Sequence, residues 1–380
     1  MKKYLINRPF PRFSLILKSL SFFENPRKNL MFFKNGREAL VHGLQCSGIT
    51  KNSTILVPAF ICNSFTECII SSGYKIRYLD INEDMTLDLA EIEKIFKSDD
   101  IKALIFIYYF GFSFQVNYLL KICKKYNVTL IEDCCHGFQT KINNQLVGTF
   151  GDFAIYSFRK VLPCSDGGAL RLNKMKNRKY IDIVSCNFSL KDDLFYLITR
   201  IVEFFARNIL LINIYSQKFI SIKTHIRDIF VRNKLKNKHE PIFPKRRYSF
   251  LLNIFLNNKK YLSERLEIRN KNFNYLLKET KIIGLKPFIE TIESNTCPQF
   301  FIIEDLHGGL HEWLTAKGIG AIKLPGKELP KEILALPMLY INANKLNKNL
   351  VMLPIHQDLE INSYKELIAL LSKWAKMNSD

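Results

Sequence analysis

The sequence predicts an α/β protein with a mostly parallel central sheet flanked by helices. The first observation is a series of short strand-like runs, at residues 54–57, 75–80, 103–107 and 128–131, separated by stretches of helical length. Strands that alternate with helices favour a parallel sheet, whose buried strands are nearly continuous apolar runs. The second observation is that 47% of the 380 residues are hydrophobic, which is enough for a sizeable core. This length favours one large and one smaller domain.

The elements of the first half follow one another in a regular order. A helix opens at Asn35 and Gly36 and runs to about Ser47, where Gly48 is a stop signal. Pro58 ends the strand at 54–57. We expect further helices at residues 87–96 and 116–126, and a further strand at 152–158.

The stretch 128–168 carries the residues with the most specific chemistry. An apolar strand ends at Asp133, and the strand at 152–158 leads directly into Lys160 and a glycine-containing turn at 166–168. Ligands of open α/β sheets bind at the carboxyl ends of strands. A lysine there can form a Schiff base with an aldehyde cofactor, and an aspartate can keep the pyridine nitrogen of pyridoxal phosphate protonated. Taken singly, each residue has a simpler explanation, a helix cap for Asp133 and a surface lysine for Lys160.

Taken together, these residues resemble the motifs of the DegT/DnrJ/EryC1/StrS family, the sugar aminotransferases of PLP fold type I. The family's motifs E-D-x-A-[QH], V-G-[ST]-x-G-D, S-F-x-x-x-K and [DE]-G-G correspond to residues 132–136, 147–152, 157–160 and 166–168. Their order and spacing agree, except that this chain has two residues fewer before the lysine. We place that deletion ahead of Lys160. The resemblance covers residues 30–172 by motif order.

The resemblance implies pyridoxal 5'-phosphate (PLP) as the cofactor. Lys160 is the implied catalytic residue and the covalent attachment point. Asp133 is the implied partner of the pyridine nitrogen, and His136 lies beside the ring hydroxyl. Ser157 and the backbone at Gly36 and Arg37 are the implied phosphate ligands. A glycine at a helix start suits that role, because backbone N–H groups and the helix dipole favour an anion there.

Cys62 occupies the position at which the family has an aromatic residue stacked on the cofactor ring. A thiol packs as a small hydrophobe. Cys62 is therefore retained as a cofactor contact, with His136 as an alternative support for the ring.

Three further residues are implied substrate contacts. Tyr108 lies in a strand-end motif that resembles the family's H-x-[YF]-G, and His356 in one that resembles L-P-[LV]-H. Arg247 matches the basic residue of the family's G-x-N-x-[RK]-M-S loop, which reaches the neighbouring subunit's active site. In that loop Lys245 replaces the asparagine and the glycine is missing. The resemblance thereby also implies a homodimer.

The chain divides into three predicted parts: an N-terminal leader at 1–30, a large PLP-binding α/β domain at 31–245, and a small C-terminal α+β domain at 246–380. The small domain is expected to contain helices over 250–280 and 363–376 and strands at 299–303 and 321–324. Within the large domain, residues 174–245 form a basic, helical insert. Its apolar stretch at 194–215 carries Arg200, Glu203 and Arg207 on one stripe, which indicates an amphipathic helix. We expect this helix to cover a core edge or a dimer partner, with a membrane surface as the less favoured alternative.

The net charge of +21 suits an anionic partner, although compositional drift is the favoured explanation. No basic tail or aromatic-interleaved motif points to nucleic acid. Nine scattered cysteines without a C-x-x-C pair favour a reducing compartment and no zinc site. No signal peptide is evident at the N-terminus, so we expect a cytoplasmic protein. We also expect no bound metal.

The leading hypothesis is a PLP-dependent aminotransferase that transfers an amino group, with glutamate as the expected donor, to a nucleotide-linked keto-sugar. One alternative is a PLP-dependent sugar dehydratase of the same family, but such members replace the lysine with histidine. The alternative from another class is a non-catalytic basic relative with a binding or regulatory role, because fold alone does not establish activity.

Overall fold

The computed structural model describes residues 5–18, 29–112, 115–174, 187–188, 190–210, 212–216, 219, 221, 247–325 and 329–378. Two basic loops are expected from the sequence, at 234–238 and 244–247, and apart from Arg247 they lie outside these residues. The described helices are α1 (Phe13–Lys18), α2 (Gly36–Cys46), α3 (Asn63–Ser71), α4 (Leu89–Ser98), α5 (Val116–Lys125), α6 (Leu190–Asn208), α7 (Phe250–Asn257), α8 (Lys259–Ile282), α9 (Leu310–Ala316), α10 (Lys331–Ala335), α11 (Ile341–Asn349) and α12 (Lys365–Met377). The described strands are β1 (Met31–Phe33), β2 (Thr54–Pro58), β3 (Lys75–Leu79), β4 (Ile101–Ile107), β5 (Thr129–Asp133), β6 (Lys141–Ile142), β7 (Gln145–Leu146), β8 (Phe153–Ser157), β9 (Gly168–Leu172), β10 (Asn187–Phe188), β11 (Arg247–Tyr248), β12 (Phe300–Glu304) and β13 (Leu350–Pro354).

A seven-stranded sheet in the order β1-β9-β8-β5-β4-β2-β3 forms the centre of the molecule. The strands from β3 to β8 pair in parallel, whereas β9 is antiparallel to both of its neighbours. This arrangement confirms the predicted α/β class with its mostly parallel sheet. The predicted strands agree with β2, β3, β4, β5 and β8 to within one or two residues, because strands buried on both faces require uninterrupted apolar runs.

The register of the sheet brings the predicted chemistry to one edge. Strand β5 pairs with β4 and β8. Its final residue Asp133 lies opposite Ile107, the last residue of β4, and opposite Ile155, in the middle of β8. All five residues of β5 and of β8 are buried. The carboxyl ends of parallel strands meet at one edge. Asp133 at the end of β5 and the lysine turn after β8 are thus neighbours in space.

The C-terminal part is built on the antiparallel pair β12–β13 and the long helix α8. The predicted strand at 321–324 is wrong as a strand. Its one ladder contact is an isolated bridge in which Ile322 exchanges two main-chain hydrogen bonds of 2.9 Å with Met352. Pro325 then follows, and proline has no N–H with which to extend the pairing.

Helix α6 confirms the predicted amphipathic helix. The polar stripe faces the protein: the side chains of Arg200 and Glu203 form an ion pair and are 12% and 10% exposed. The apolar residues face outward, with Leu194 and Ile209 each about 60% exposed. Of the two alternatives expected for this helix, a core edge and a dimer partner, the exposed apolar face does not cover a core edge, and the dimer partner stays a prediction. Within the described residues, no helix combines the length and apolarity that crossing a bilayer requires.

Candidate active site

A cavity of about 290 Å³ opens at the carboxyl edge of the central sheet. It lies between the ends of β4, β5 and β8 and the N-terminus of α2, and Leu324 and Pro325 of the C-terminal part close one side. All seven residues predicted to contact the cofactor line this cavity, namely Gly36, Arg37, Cys62, Asp133, His136, Ser157 and Lys160. The structure thus brings together residues that span 124 positions of the chain, although their role as ligands remains a prediction.

The N-terminus of α2 is set against the turn that follows Lys160. Asn35 caps the helix, and its Oδ1 accepts hydrogen bonds from the N–H groups of Arg37 (3.0 Å) and Glu38 (3.1 Å). The Arg37 N–H is therefore already bonded. A Cβ on Gly168 would lie 2.1 Å from the Asn35 carbonyl oxygen, so only glycine allows this close approach. The glycine turn predicted from sequence thus holds the helix start beside the lysine.

Lys160 ends a short 3₁₀ turn, Phe158–Lys160, that follows β8. Its Nζ lies 3.3 Å from Nε2 of His136. Gln299, from the C-terminal part, donates to the Lys160 carbonyl oxygen at 2.8 Å and fixes the turn. The lysine is thereby held from both sides at the cavity wall.

His136 is tightly packed against aromatic rings. It stacks on Phe110 at 5.9 Å with an interplanar angle of 13°, and Phe300 meets it edge-on at 6.2 Å. Burial, followed by the nearby Lys160 charge, holds the pKa of His136 well below its ordinary value. The ring is therefore neutral, and when Lys160 donates to Nε2 the ring proton must be on Nδ1. Nδ1 is buried and has no hydrogen-bond partner among the described residues.

Asp133 is 7% exposed at the end of β5. Its Oδ1 accepts a hydrogen bond of 2.9 Å from the Cys135 N–H, which fixes the carboxylate at the cavity floor. Burial, and then the Asp133 charge, raise the pKa of the Cys135 thiol well above its ordinary value. Cys135 is therefore a small, uncharged residue in the cavity wall. Cys62, half-buried at the start of α3, lines the cavity as well.

Glu132 organises the loop behind the cavity, a role that the sequence analysis did not assign. This fully buried carboxylate accepts hydrogen bonds from the Tyr108 hydroxyl (2.6 Å) and from three N–H groups, those of Gly148 (2.7 Å), Phe150 (2.8 Å) and Gly151 (2.7 Å). Burial raises the pKa of Glu132, while these hydrogen bonds lower it. The signal was present in the V-G-T-F-G-D motif, whose glycines let the backbone wrap around a carboxylate.

Two of the three predicted substrate contacts do not reach the cavity. Tyr108 is fully buried with its hydroxyl directed to Glu132, and the next residue, Tyr109, lines the cavity instead. His356 is 2% exposed, and its Nε2 lies 2.9 Å from the carbonyl oxygen of Ile6. Neither residue lines the cavity, and their role as substrate contacts stays a prediction. Arg247 begins β11, which pairs with β10, but its side chain lies outside the described residues.

The residues of the cavity fit PLP. The amine of Lys160 is suited to be a covalent anchor, and the carboxylate of Asp133 is suited to pair with a pyridinium nitrogen. The hydroxyl of Ser157 is suited to donate a hydrogen bond to a phosphate. The unpartnered Nδ1 of His136 is a buried polar group that a ligand could satisfy. Sequence reasoning missed Asn35, Tyr109, Phe110 and Arg159 at the cavity wall.

The fold is that of PLP fold type I proteins. A putative sugar aminotransferase of Streptococcus pneumoniae in its PLP form superposes with a TM-score of 0.66 at 14% identity, over 99% of each chain. Residues 25–196 match the sequence model of the DegT/DnrJ/EryC1/StrS aminotransferase family, which confirms the resemblance over that stretch.

Curated relatives align with part of the chain. The GDP-perosamine synthase of Vibrio cholerae is 26% identical over 149 residues, or 38% of this chain and 40% of that protein. The UDP-4-amino-4,6-dideoxy-N-acetyl-beta-L-altrosamine transaminase of Campylobacter jejuni is 27% identical over 150 residues, again 38% and 40%. The chain thus spans about two-fifths of the length of these relatives.

Proposed function

We propose that this chain is a PLP-dependent aminotransferase that acts on a nucleotide-linked keto-sugar, with glutamate as the amino donor. The observation that carries the proposal is the placement of Lys160 and Asp133 in one cavity at the carboxyl edge of the sheet. The named relatives act on GDP- and UDP-linked sugars, which supports the substrate class.

Each residue of the cavity has a defined task in this proposal. Bound there, PLP supplies an electron sink and a temporary carrier for the amino group. Lys160 anchors the cofactor and, once freed, moves a proton to and from the substrate carbon. Asp133 holds a proton at the pyridine nitrogen. Ser157 and the start of α2 bind the phosphate.

His136 orients the lysine in this proposal. Because the imidazole remains neutral, it accepts a hydrogen bond from an ammonium at Lys160 without adding a second positive charge. Closure of the cavity by Leu324 and Pro325 excludes water from the reacting groups on that side.

Single-turnover measurements test the proposal. Glutamate should convert the cofactor absorbance of the wild-type protein, and a panel of GDP- and UDP-linked keto-sugars should restore it. Lys160→Ala should abolish both half-reactions. An unchanged rate in Lys160→Ala, or a wild-type protein that reacts with no member of the panel, would contradict the proposal.

A homodimer is part of the proposal, with the outer face of α6 as the contact. Ten apolar side chains between Leu190 and Ile212 are 37–66% exposed, and Lys191 is the one charged residue in the exposed class among the described residues of this segment. Contiguous exposed apolar surface beyond roughly 300–600 Å², the largest patch of a typical monomer, marks an interaction site. One partner contributes roughly 800 Å² to a standard interface. A face with almost no charge can pack against an identical face without bringing like charges together. A second copy of the chain is therefore the expected partner.

We place the protein in the cytoplasm. The described cysteines are all free thiols, and all but Cys62 are buried. Free thiols suit a reducing compartment.

A further inference from the structure

A short segment ahead of β12, residues 297–299, packs tightly against the turn that follows β4. A Cβ on Gly111 in that turn would lie 2.2 Å from the Cys297 carbonyl oxygen, so only glycine allows this approach. On helix α8, the buried Arg269 donates to the next two carbonyl oxygens of the segment, at 3.1 and 3.0 Å. The main chain of the segment is therefore fixed by contacts with both parts of the molecule.

Gln299, the last residue of this segment, donates hydrogen bonds to two different walls of the cavity. Its main-chain N–H donates to the Phe110 carbonyl oxygen at 2.7 Å, and its side-chain Nε2 donates to the Lys160 carbonyl oxygen at 2.8 Å. Phe110 lies in the turn after β4 and Lys160 in the turn after β8, and both line the cavity. Gln299 therefore sets the position of one turn relative to the other.

The backbone of Phe110 is strained. Its φ of 54° and ψ of 15° lie in the left-handed region, which a bulky residue rarely occupies. Strained conformations persist only where surrounding contacts enforce them, and they concentrate at functional sites. Here the Gln299 N–H holds the Phe110 carbonyl, and the Phe110 ring is stacked on His136. The strained turn thereby places an aromatic ring where it supports the histidine.

These contacts form a closed network of four residues. Gln299 holds the carbonyl end of Lys160, and His136 contacts the amine end, with 3.3 Å between Nζ and Nε2. Gln299 and His136 in turn both contact Phe110. The lysine is therefore held at its two ends by residues that share one support.

The side chain of Gln299 is polar at a position where an apolar residue would fit. Gln299 is 4% exposed, and its Oε1 is buried without a hydrogen-bond partner among the described residues. An unsatisfied buried acceptor destabilises the folded state. Methionine would fill a similar space without this penalty. What glutamine adds at this position is the Nε2 donor to Lys160.

We propose that Gln299 is a positioning residue, which holds the Lys160 amine against His136 in the cavity. This proposal rests on the proposed function for the reaction that Lys160 performs. Loss of the Nε2 donor would free the carbonyl end of the lysine and let its amine move away from His136. A displacement of about 1 Å at a reacting group costs about 10²-fold in rate. The C-terminal part thus contributes to the reactivity of the lysine as well as to the cavity wall.

The test is the rate at which the cofactor-free protein captures PLP on Lys160, trapped by borohydride at successive times and measured by peptide mapping. In Gln299→Met, capture should slow about tenfold, the factor expected when one hydrogen bond is lost. Gln357→Met is the matched control. Gln357 is 3% exposed, its Nε2 donates to the Tyr261 hydroxyl at 2.7 Å, and its Oε1 has no partner among the described residues. Both variants should lose similar thermal stability, but Gln357→Met should capture PLP at the wild-type rate.

A double-mutant cycle with His136→Phe separates positioning from a general loss of structure. Because Gln299 and His136 act on one lysine, the double variant should capture PLP hardly more slowly than the slower single variant. Independent effects, in which the two factors multiply, would overturn the proposal. Unchanged capture in Gln299→Met, or equal slowing in Gln357→Met, would overturn it as well. Gln299→Glu keeps the length of the side chain but removes the donor, and gives the same readings if Gln299→Met does not fold.

Amino transfer, measured on the same variants, keeps the two proposals apart. If the wild type captures PLP on Lys160 but transfers no amino group, and Gln299→Met slows capture, the positioning role stands and only the proposed function is lost. If the wild type transfers amino groups but Gln299→Met captures PLP at the same rate, only the positioning role is lost. A wild-type protein that captures no PLP overturns both.

Discussion

The Nζ atom of Lys160 lies 3.3 Å from Nε2 of His136, and the His136 ring is stacked on Phe110. The histidine therefore contacts Lys160 through its ring nitrogen and packs against Phe110 through its ring face. His136→Phe keeps a flat ring against Phe110 but removes Nε2. We expect amino transfer to slow by about 10²-fold, the scale of a lost hydrogen bond to a charged group, with an unchanged thermal midpoint.

The control for this variant is His136→Gln, because glutamine restores a polar side chain beside the lysine. It should recover part of the lost rate in the same assay with glutamate. Equal rates in His136→Phe and the wild type would show that His136 only packs against Phe110.

The buried carboxylate of Glu132 should be essential for stability. In Glu132→Gln, one oxygen and one NH₂ group replace a carboxylate that accepts four hydrogen bonds, so a buried donor would face another donor. We expect a loss of about 2–4 kcal/mol in the free energy of unfolding, measured in urea. Glu93→Gln, which alters an exposed pair with Lys125, should change it by less than about 1 kcal/mol. A similar small loss for both variants would contradict this role of Glu132.

His356 should make the fold sensitive to acid. Burial, and then the charge of Arg269, lower its pKa from 6.5 to about 3. Below pH 6.5, His356 is protonated in the unfolded chain but stays neutral in the folded chain. Stability should therefore fall from pH 6.5 toward pH 3, by up to about 1.4 kcal/mol per pH unit from this residue.

His356→Gln removes this titration while it keeps an N–H donor for the Ile6 carbonyl. Its unfolding free energy should depend less on pH between 6.5 and 3, with a remainder contributed by His136. His307→Gln, at an exposed position, should behave as the wild type. Superimposable pH profiles for His356→Gln and the wild type would contradict the prediction.

The outer face of α6 should control the oligomeric state. At micromolar concentration, sedimentation should give twice the chain mass of 44.4 kDa for the wild type. Ile198→Asp combined with Val202→Asp should give the monomer, because two buried charges without partners oppose association. Ile282→Asp combined with Met338→Asp, at exposed apolar positions elsewhere, should remain dimeric. A monomeric wild type, or one that binds anionic vesicles through this face, would refute the dimer contact.

The central sheet was predictable from sequence because its strands are buried on both faces and their apolar runs are local signals. The seven cavity residues were found through motif order. Adjacent positions were harder to resolve: the chain turns after β4 at residues 109–111, so Tyr109 and not Tyr108 faces the cavity.

The remaining features depend on contacts between residues that are far apart in the sequence, and no local sequence pattern predicts such contacts. His356 points to Ile6, 350 positions away along the chain. Helical periodicity identified the polar stripe of α6, but which stripe meets the protein depends on what else is packed there.

Borohydride reduction of the protein incubated with PLP, followed by peptide mapping, tests the central claim most directly. We expect a yellow protein whose colour is trapped by reduction as a stable label on Lys160, in the peptide that contains residues 157–160. A protein that takes up no PLP, or a label that maps to another lysine, would contradict the assignment of this cavity as the active site.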